Sequence, residues 1–200
     1  MKFTPLIEEL IESLKILPGV GPKSAQRIAF GLLERQQKGA RRLSSAINSA
    51  LQGVCRCQLC RNFSEHEVCD ICHSEFRQES AQICVVASPM DLLAIEDTGH
   101  YKGRYFVLMG LLSPIDGIGP QELGLNLLEK QLMEQNIEEL ILATSPSVEG
   151  EATAYYISEI AAQYQIKVTR LAQGLPSGGE LASIDGKTLG HAFSGRKSLA

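Results

Sequence analysis

The 200-residue chain has no tryptophan, and aromatic residues make up only 6% of it. It also lacks any long apolar run. Stretches such as Ile141-Leu142-Ala143 fall far short of the roughly 20 residues that a membrane-crossing helix needs. The first residues, Met1-Lys2-Phe3-Thr4-Pro5, lead straight into Glu8, Glu9 and Glu12. No apolar stretch with a small-residue cleavage site stands there, which argues against a secretory signal and sets the expectation of a cytoplasmic protein. Internal repeats and low-complexity tracts are absent too. Cysteine is scarce except in one place, with five of the six between Cys55 and Cys72. Disulfides rarely persist in a reducing compartment, so a cluster of this kind points to metal or redox chemistry.

Positive charge is in deficit overall, with a formal net charge of −4. The average hides an asymmetry. Residues 15–42 carry Lys15, Lys23, Arg27, Arg35, Lys38, Arg41 and Arg42 against Glu34 alone, a local charge of +6. A basic segment on an acidic body is either a localised electrostatic footprint or an ordinary solvated helix face.

Four regions can be separated. Residues 1–52 read as helical: Pro5 suits a first helical position, and Leu6, Ile7, Leu10, Ile11 and Leu14 recur at helical spacing. After a break at Leu17–Pro22, Ala25, Ile28, Ala29, Leu32 and Leu33 mark a second helix, and a third is expected over about 40–52. Residues 53–78 hold most of the cysteines and too little apolar surface to fold unaided. Residues 79–172 alternate strand patterns (Ile83–Val86, Tyr105–Leu108, Leu140–Ala143, Ile166–Thr169) with helical ones near 89–97, 121–135 and 150–164. That alternation predicts a mainly parallel sheet covered on both faces. Residues 173–200, rich in glycine (Gly174, Gly178, Gly179, Gly186, Gly190, Gly195) and containing Pro176, read as an irregular tail packing on the sheet or on a second subunit.

Two motifs carry chemistry. Cys57-Gln-Leu-Cys60 and Cys69-Asp-Ile-Cys72 are separated by eight residues. Such paired knuckles suit one tetrahedral structural zinc, and metal binding would supply folding free energy to a segment without a core. Arg56 and Arg61 are placed to offset the charge of four thiolates. Cys55 reads as a bystander thiol, Cys84 as a small core residue, and His66 and His73 as surface histidines. The redox reading of CxxC lacks the strand–helix setting it requires.

The second motif is Leu17-Pro-Gly-Val-Gly-Pro-Lys-Ser-Ala-Gln-Arg27. Gly19 and Gly21 allow a tight hairpin whose backbone amides can approach a phosphate. The helix then starts at Pro22, with its positive dipole end facing the same way. Lys23 sits in the first turn, where a cation is disfavoured unless an anion arrives, and Arg27 follows on the same face. This is a helix-hairpin-helix pattern, which grips DNA by its backbone without reading sequence; a plain αα-corner is the bland alternative. Gly186-Lys187-Thr188 resembles the end of a P-loop, but the glycine required five positions earlier is Leu181, so nucleotide binding is not expected.

The order of these parts resembles the RecR family. The likeness rests on Leu17–Arg27, the cysteine quartet, Arg104–Gly110 with Ser113–Pro120, Val148–Thr153 and Gly195-Arg196. It implies a Toprim-like α/β domain and a non-enzymatic recombination mediator forming homo-oligomers, dimers assembling into tetrameric rings. With RecO, and in some settings RecF, such proteins help RecA displace single-strand-binding protein at gaps. It further implies that Lys23 and Arg27 touch DNA and that the neighbourhood of Glu149 meets RecO. Catalytic Toprim domains hold magnesium with a glutamate after the first strand and an Asp-x-Asp after a later one. Here those positions read Ala87 and Ser145-Pro146-Ser147, and RecR-like sequences often keep a glutamate where Ala87 stands. Hard cations need oxygen ligands of that kind, so the rival reading, a magnesium-dependent Toprim nuclease or nicking enzyme, is disfavoured. A third reading is a zinc-dependent assembly module that does not touch DNA.

Overall fold

The computed structural model describes residues 3–172, 175, 178 and 180–196. The chain divides into two compact units, residues 1–54 and residues 55–200. No helix among the described residues is long and apolar enough to cross a membrane.

The first unit is three helices, α1 (Pro5–Leu14), α2 (Pro22–Glu34) and α3 (Gln37–Gly53). Proline opens both α1 and α2, where the missing N–H costs nothing. Ile7, Leu10, Ile11 and Leu14 of α1 pack against Val20, Ala25 and Ala29. The two alanines are fully buried and let the helix backbones come close. The third helix begins three residues earlier than its apolar pattern suggests, and none of its residues is buried.

The second unit opens with a small hairpin, β1 (Cys55–Arg56) against β2 (Phe63–Ser64), and two single-turn helices, α4 (Asp70–His73) and α5 (Glu75–Gln78). The α/β region follows as β3 (Gln82–Val86), α6 (Pro89–Asp97), β4 (Arg104–Val107), α7 (Leu125–Glu134), β5 (Glu139–Ala143), α8 (Val148–Gln163) and β6 (Lys167–Arg170). The four strands of the larger sheet are all parallel, in the order β4-β3-β5-β6.

Alternation along the strands sorts the core into two layers. Ile83, Val85, Phe106, Leu140 and Leu142 join Leu128, Ile157 and Ala161 on the α7/α8 side. Cys84, Val86, Tyr105 and Val107 join Leu92 and the four clustered cysteines on the other. The cysteine segment therefore solves its lack of a core by lying on the sheet. Its backbone also meets the outer edge of β4, where the Val107 N–H donates to the Cys60 carbonyl at 2.8 Å.

The tail is more regular than its glycines suggest. A 3₁₀ turn (Leu181–Ser183) leads to α9 (Gly186–Ser194). Asp185 caps that helix, its carboxylate accepting from the Thr188 N–H at 2.9 Å and from the Thr188 hydroxyl at 2.6 Å. Gly186-Lys187-Thr188 thus opens a helix where an irregular tail is expected. Gly174, Pro176 and Gly179 lie outside the described residues.

Candidate nucleic-acid interface and metal centre

The connection between α1 and α2 is built by its turn residues. The Val20 N–H donates to the Leu17 carbonyl at 3.0 Å, closing a four-residue turn with Pro18 second and Gly19 third. Gly19 has φ +77°, the left-handed value that a type II turn demands at that place. Gly21 is extended and occupies the position before the first turn of α2, its carbonyl accepting from the Ala25 N–H at 2.9 Å. It offers no capping side chain, and α2 has no acid in its first turn. Lys23 and Arg27, one helical turn apart, are both exposed, and neither forms an ion pair with a described residue. Lys15, by contrast, is tied to Glu12 at 2.6 Å, and Arg35 lies 3.6 Å from Glu34. The start of α2 is therefore an uncapped, cationic, sterically open helix end suited to an anion.

The four cysteines expected to hold a metal are brought together. The sulfurs of Cys57, Cys60, Cys69 and Cys72 all lie within 4.8 Å of one another, and all four residues are buried. Backbone amides already face them: the Cys69 N–H donates to Cys57 Sγ at 3.3 Å and the Asn62 N–H to Cys60 Sγ at 3.5 Å. Crowding sets the thiols against each other. The hydrogen bond with Cys69 holds the Cys60 thiol well above its usual range, and that with Cys60 does the same to Cys72. The hydrogen bond with Cys60 conversely favours the thiolate at Cys69. A cation among them would favour the thiolate at every position. The quartet can hold one metal ion with all-sulfur coordination.

The other cysteines and histidines fall outside this cluster. Cys55 is exposed, its thiol directed to the carbonyls of Ser64 (3.3 Å) and His66 (3.4 Å). His66 and His73 are exposed. Cys84 is buried in β3, and desolvation pushes its thiol up to about 12.

Arg61 departs from its expected part. It is 6% exposed, with φ +65°, and its guanidinium donates to the carbonyls of Leu123 and Glu122 while lying over the Phe106 ring. Desolvation, with Arg56 nearby, lowers its pKa. It fastens the cysteine segment to the loop before α7, and nothing in the sequence near Arg61 signals this. The knuckles have further ties: Gln131 donates to the Leu59 carbonyl at 2.6 Å and Gln78 to the Cys72 carbonyl at 2.9 Å.

At the carboxyl ends of β3 and β5, where catalytic relatives of such a domain would place carboxylates, there are none on the expected residues. The Ala87 carbonyl accepts from the Gly110 N–H at 2.9 Å. The hydroxyls of Ser145 and Ser147 lie 3.2 Å apart, and Ser147 caps α8 by accepting from the Gly150 N–H. The neighbouring acids have separate tasks. Asp91 forms a capping box with Ser88 at the start of α6. Glu151 pairs with Arg170 at 2.7 Å, and that hydrogen bond holds its carboxyl below the usual range. Glu149 is exposed and makes no ion pair with a described residue.

Family models match three stretches of the chain. Residues 7–51 match the RecR helix-hairpin-helix, residues 81–172 a Toprim domain and residues 174–197 the RecR C-terminal model. Together with the four-cysteine cluster, the three matches show that the chain belongs to the RecR family, whose domain set supports a recombination-mediator role in DNA repair.

Proposed function

We propose that this chain is a non-catalytic, cytoplasmic recombination mediator that holds DNA by its backbone, without sequence preference, and acts with RecO, and in some settings RecF, to help load RecA at single-strand gaps. The groups that touch DNA are the amides around Gly19 and Gly21 and the side chains of Lys23 and Arg27. The observation that carries this reading is the pair of exposed cations, free of ion pairs with described residues, at an uncapped, acid-free helix start beyond a left-handed glycine turn. Such an end carries an electrostatic penalty that a phosphate removes.

Zinc is the ion proposed for Cys57, Cys60, Cys69 and Cys72, because four buried sulfurs suit a closed structural site with no position left for substrate. Glu149 is proposed to meet RecO; its lack of an ion pair with a described residue, when Glu151 is taken by Arg170, supports this. The working form is proposed to be a homo-oligomer, a dimer or a tetrameric ring. Exposed Leu43, Ile47 and Leu51 along α3 support self-association. The non-catalytic reading is supported by Ala87, Ser145 and Ser147 at positions where magnesium chemistry needs carboxylates.

The test is the full-length Lys23→Glu/Arg27→Glu variant, with fluorescence anisotropy on single-stranded and gapped oligonucleotides at several salt concentrations and native mass measured in parallel. Affinity should fall at least tenfold and the salt dependence should flatten, with mass unchanged in the absence of DNA. Wild-type affinity in the double variant overturns the assignment.

A further inference from the structure

The DNA-binding reading above uses the start of α2, and self-association uses only the apolar stripe of α3, which leaves the polar side of that helix without a task. That helix contains no aspartate or glutamate in its 17 residues, Gln37–Gly53, and carries Lys38, Arg41 and Arg42 in its first turns. Gln36, at its cap position, makes no side-chain capping bond. Cations at a helix start are unfavourable unless something negative sits beyond it. None of the three forms an ion pair with a described residue.

Spacing along α3 separates two faces. Leu43, Ile47 and Leu51 recur every four residues as an apolar stripe. On the other side Arg41, Ser44, Ser45, Asn48, Ser49 and Gln52 recur at intervals of three and four and, with Ala40, line a shallow concavity of about 530 Å³. Every side chain of that row offers an N–H or O–H donor. All are exposed, and Lys38 and Arg42 flank the row at its head.

We propose that this donor face of α3 is a second docking surface for the nucleic-acid strand, following the phosphate backbone away from the glycine turn. The proposal rests on the DNA-binding reading and extends its footprint. A protein partner would call for an aromatic or apolar anchor in such a concavity, whereas a uniformly donating, acid-free surface matches a run of phosphate oxygens. At 1.5 Å per residue the helix is about 25 Å long, enough to follow several phosphates. The apolar stripe faces elsewhere, so self-association and strand binding do not compete for the same residues.

The test uses the full-length, zinc-loaded protein and labelled oligothymidylate, read by anisotropy across a salt series with native mass recorded for each variant. Arg41→Glu combined with Asn48→Asp puts repulsion on the face and should weaken binding at least tenfold. The salt slope should be shallower by about 0.7 for each phosphate that the variant no longer neutralises. Ser45→Lys adds a cation to the same row and should tighten binding and steepen the slope; it decides the matter if the acidic variant does not fold. Binding equal to wild type in both α3 variants, while Lys23→Glu/Arg27→Glu still loses affinity, overturns this proposal and leaves the glycine-turn site standing. A fall in native mass with unchanged affinity also overturns it, by assigning the row to subunit packing. No affinity in the wild-type protein removes both readings together.

Discussion

Arg61 offers the sharpest energetic test of how the cysteine segment is held. Its guanidinium is buried, donates to the Leu123 carbonyl and, at 3.1 Å, to that of Glu122, and lies 5.7 Å from the centroid of Phe106. Hydrogen bonds from a charged donor contribute about 1.5–3 kcal/mol each, and the ring interaction adds about 1 kcal/mol. Part of this offsets the cost of burying the charge. Arg61→Ala should therefore destabilise the second unit by about 3 kcal/mol. Gly124 supplies the second arm of a cycle. A Cβ built on it would collide with the Arg61 guanidinium, and its φ of +68° costs a side-chain-bearing residue separately. That second cost is about 1–2 kcal/mol. Gly124→Ala alone should then cost about 4–5 kcal/mol, since the guanidinium must leave, but only about 1–2 kcal/mol in the Arg61→Ala background. All five tyrosines lie in this unit and the chain has no tryptophan, so tyrosine fluorescence in a urea titration reports it directly. Metal content should be checked for each variant. Additive effects of the two substitutions would refute the reasoning.

Two further outcomes are expected. Elemental analysis should return one zinc per chain, and Cys60→Ser or Cys69→Ser should lose metal and cooperative unfolding together; a variant that stays folded and metal-loaded contradicts the assignment. Glu139 joins three strands, accepting from Thr169 (2.9 Å) and Gln82 (2.6 Å) with Lys167 at 3.5 Å, and the Thr169 hydrogen bond leads in holding its carboxyl below the usual range. A depressed carboxyl stabilises the fold above the ordinary glutamate pKa of about 4.3, and that contribution is lost as pH falls through the lower folded value. Thermal midpoints should consequently fall less steeply below about pH 4.3 in Glu139→Gln than in wild type; parallel acid limbs would exclude this role.

What is legible in the sequence is local. The glycine turn is written in Pro18-Gly19, because a left-handed third residue has few alternatives to glycine. The strands stand out because β-branched and leucine-rich runs buried on both faces leave a continuous apolar trace. The cysteine quartet declares itself by spacing, and its four sulfurs do converge. Long-range partners stay hidden. Arg61 meets carbonyls about 60 residues away, and a backbone carbonyl carries no sequence signature. The helix α9 is masked by Gly186 and Gly190, which lower helix propensity; its one sign is Asp185 three residues before Thr188, a capping pair. The early start of α3 escapes detection because its first turn is polar and offers no apolar period to follow.

The bond from the Val107 amide to the Cys60 carbonyl does more than anchor a knuckle. It occupies a margin of the parallel sheet that would otherwise stand ready to recruit foreign strands. Stripping the ion proposed for the quartet should therefore do more than slacken a small appendage. It should bare a sticky border as the layer loosens, so that chelated preparations become turbid as they lose cooperative unfolding.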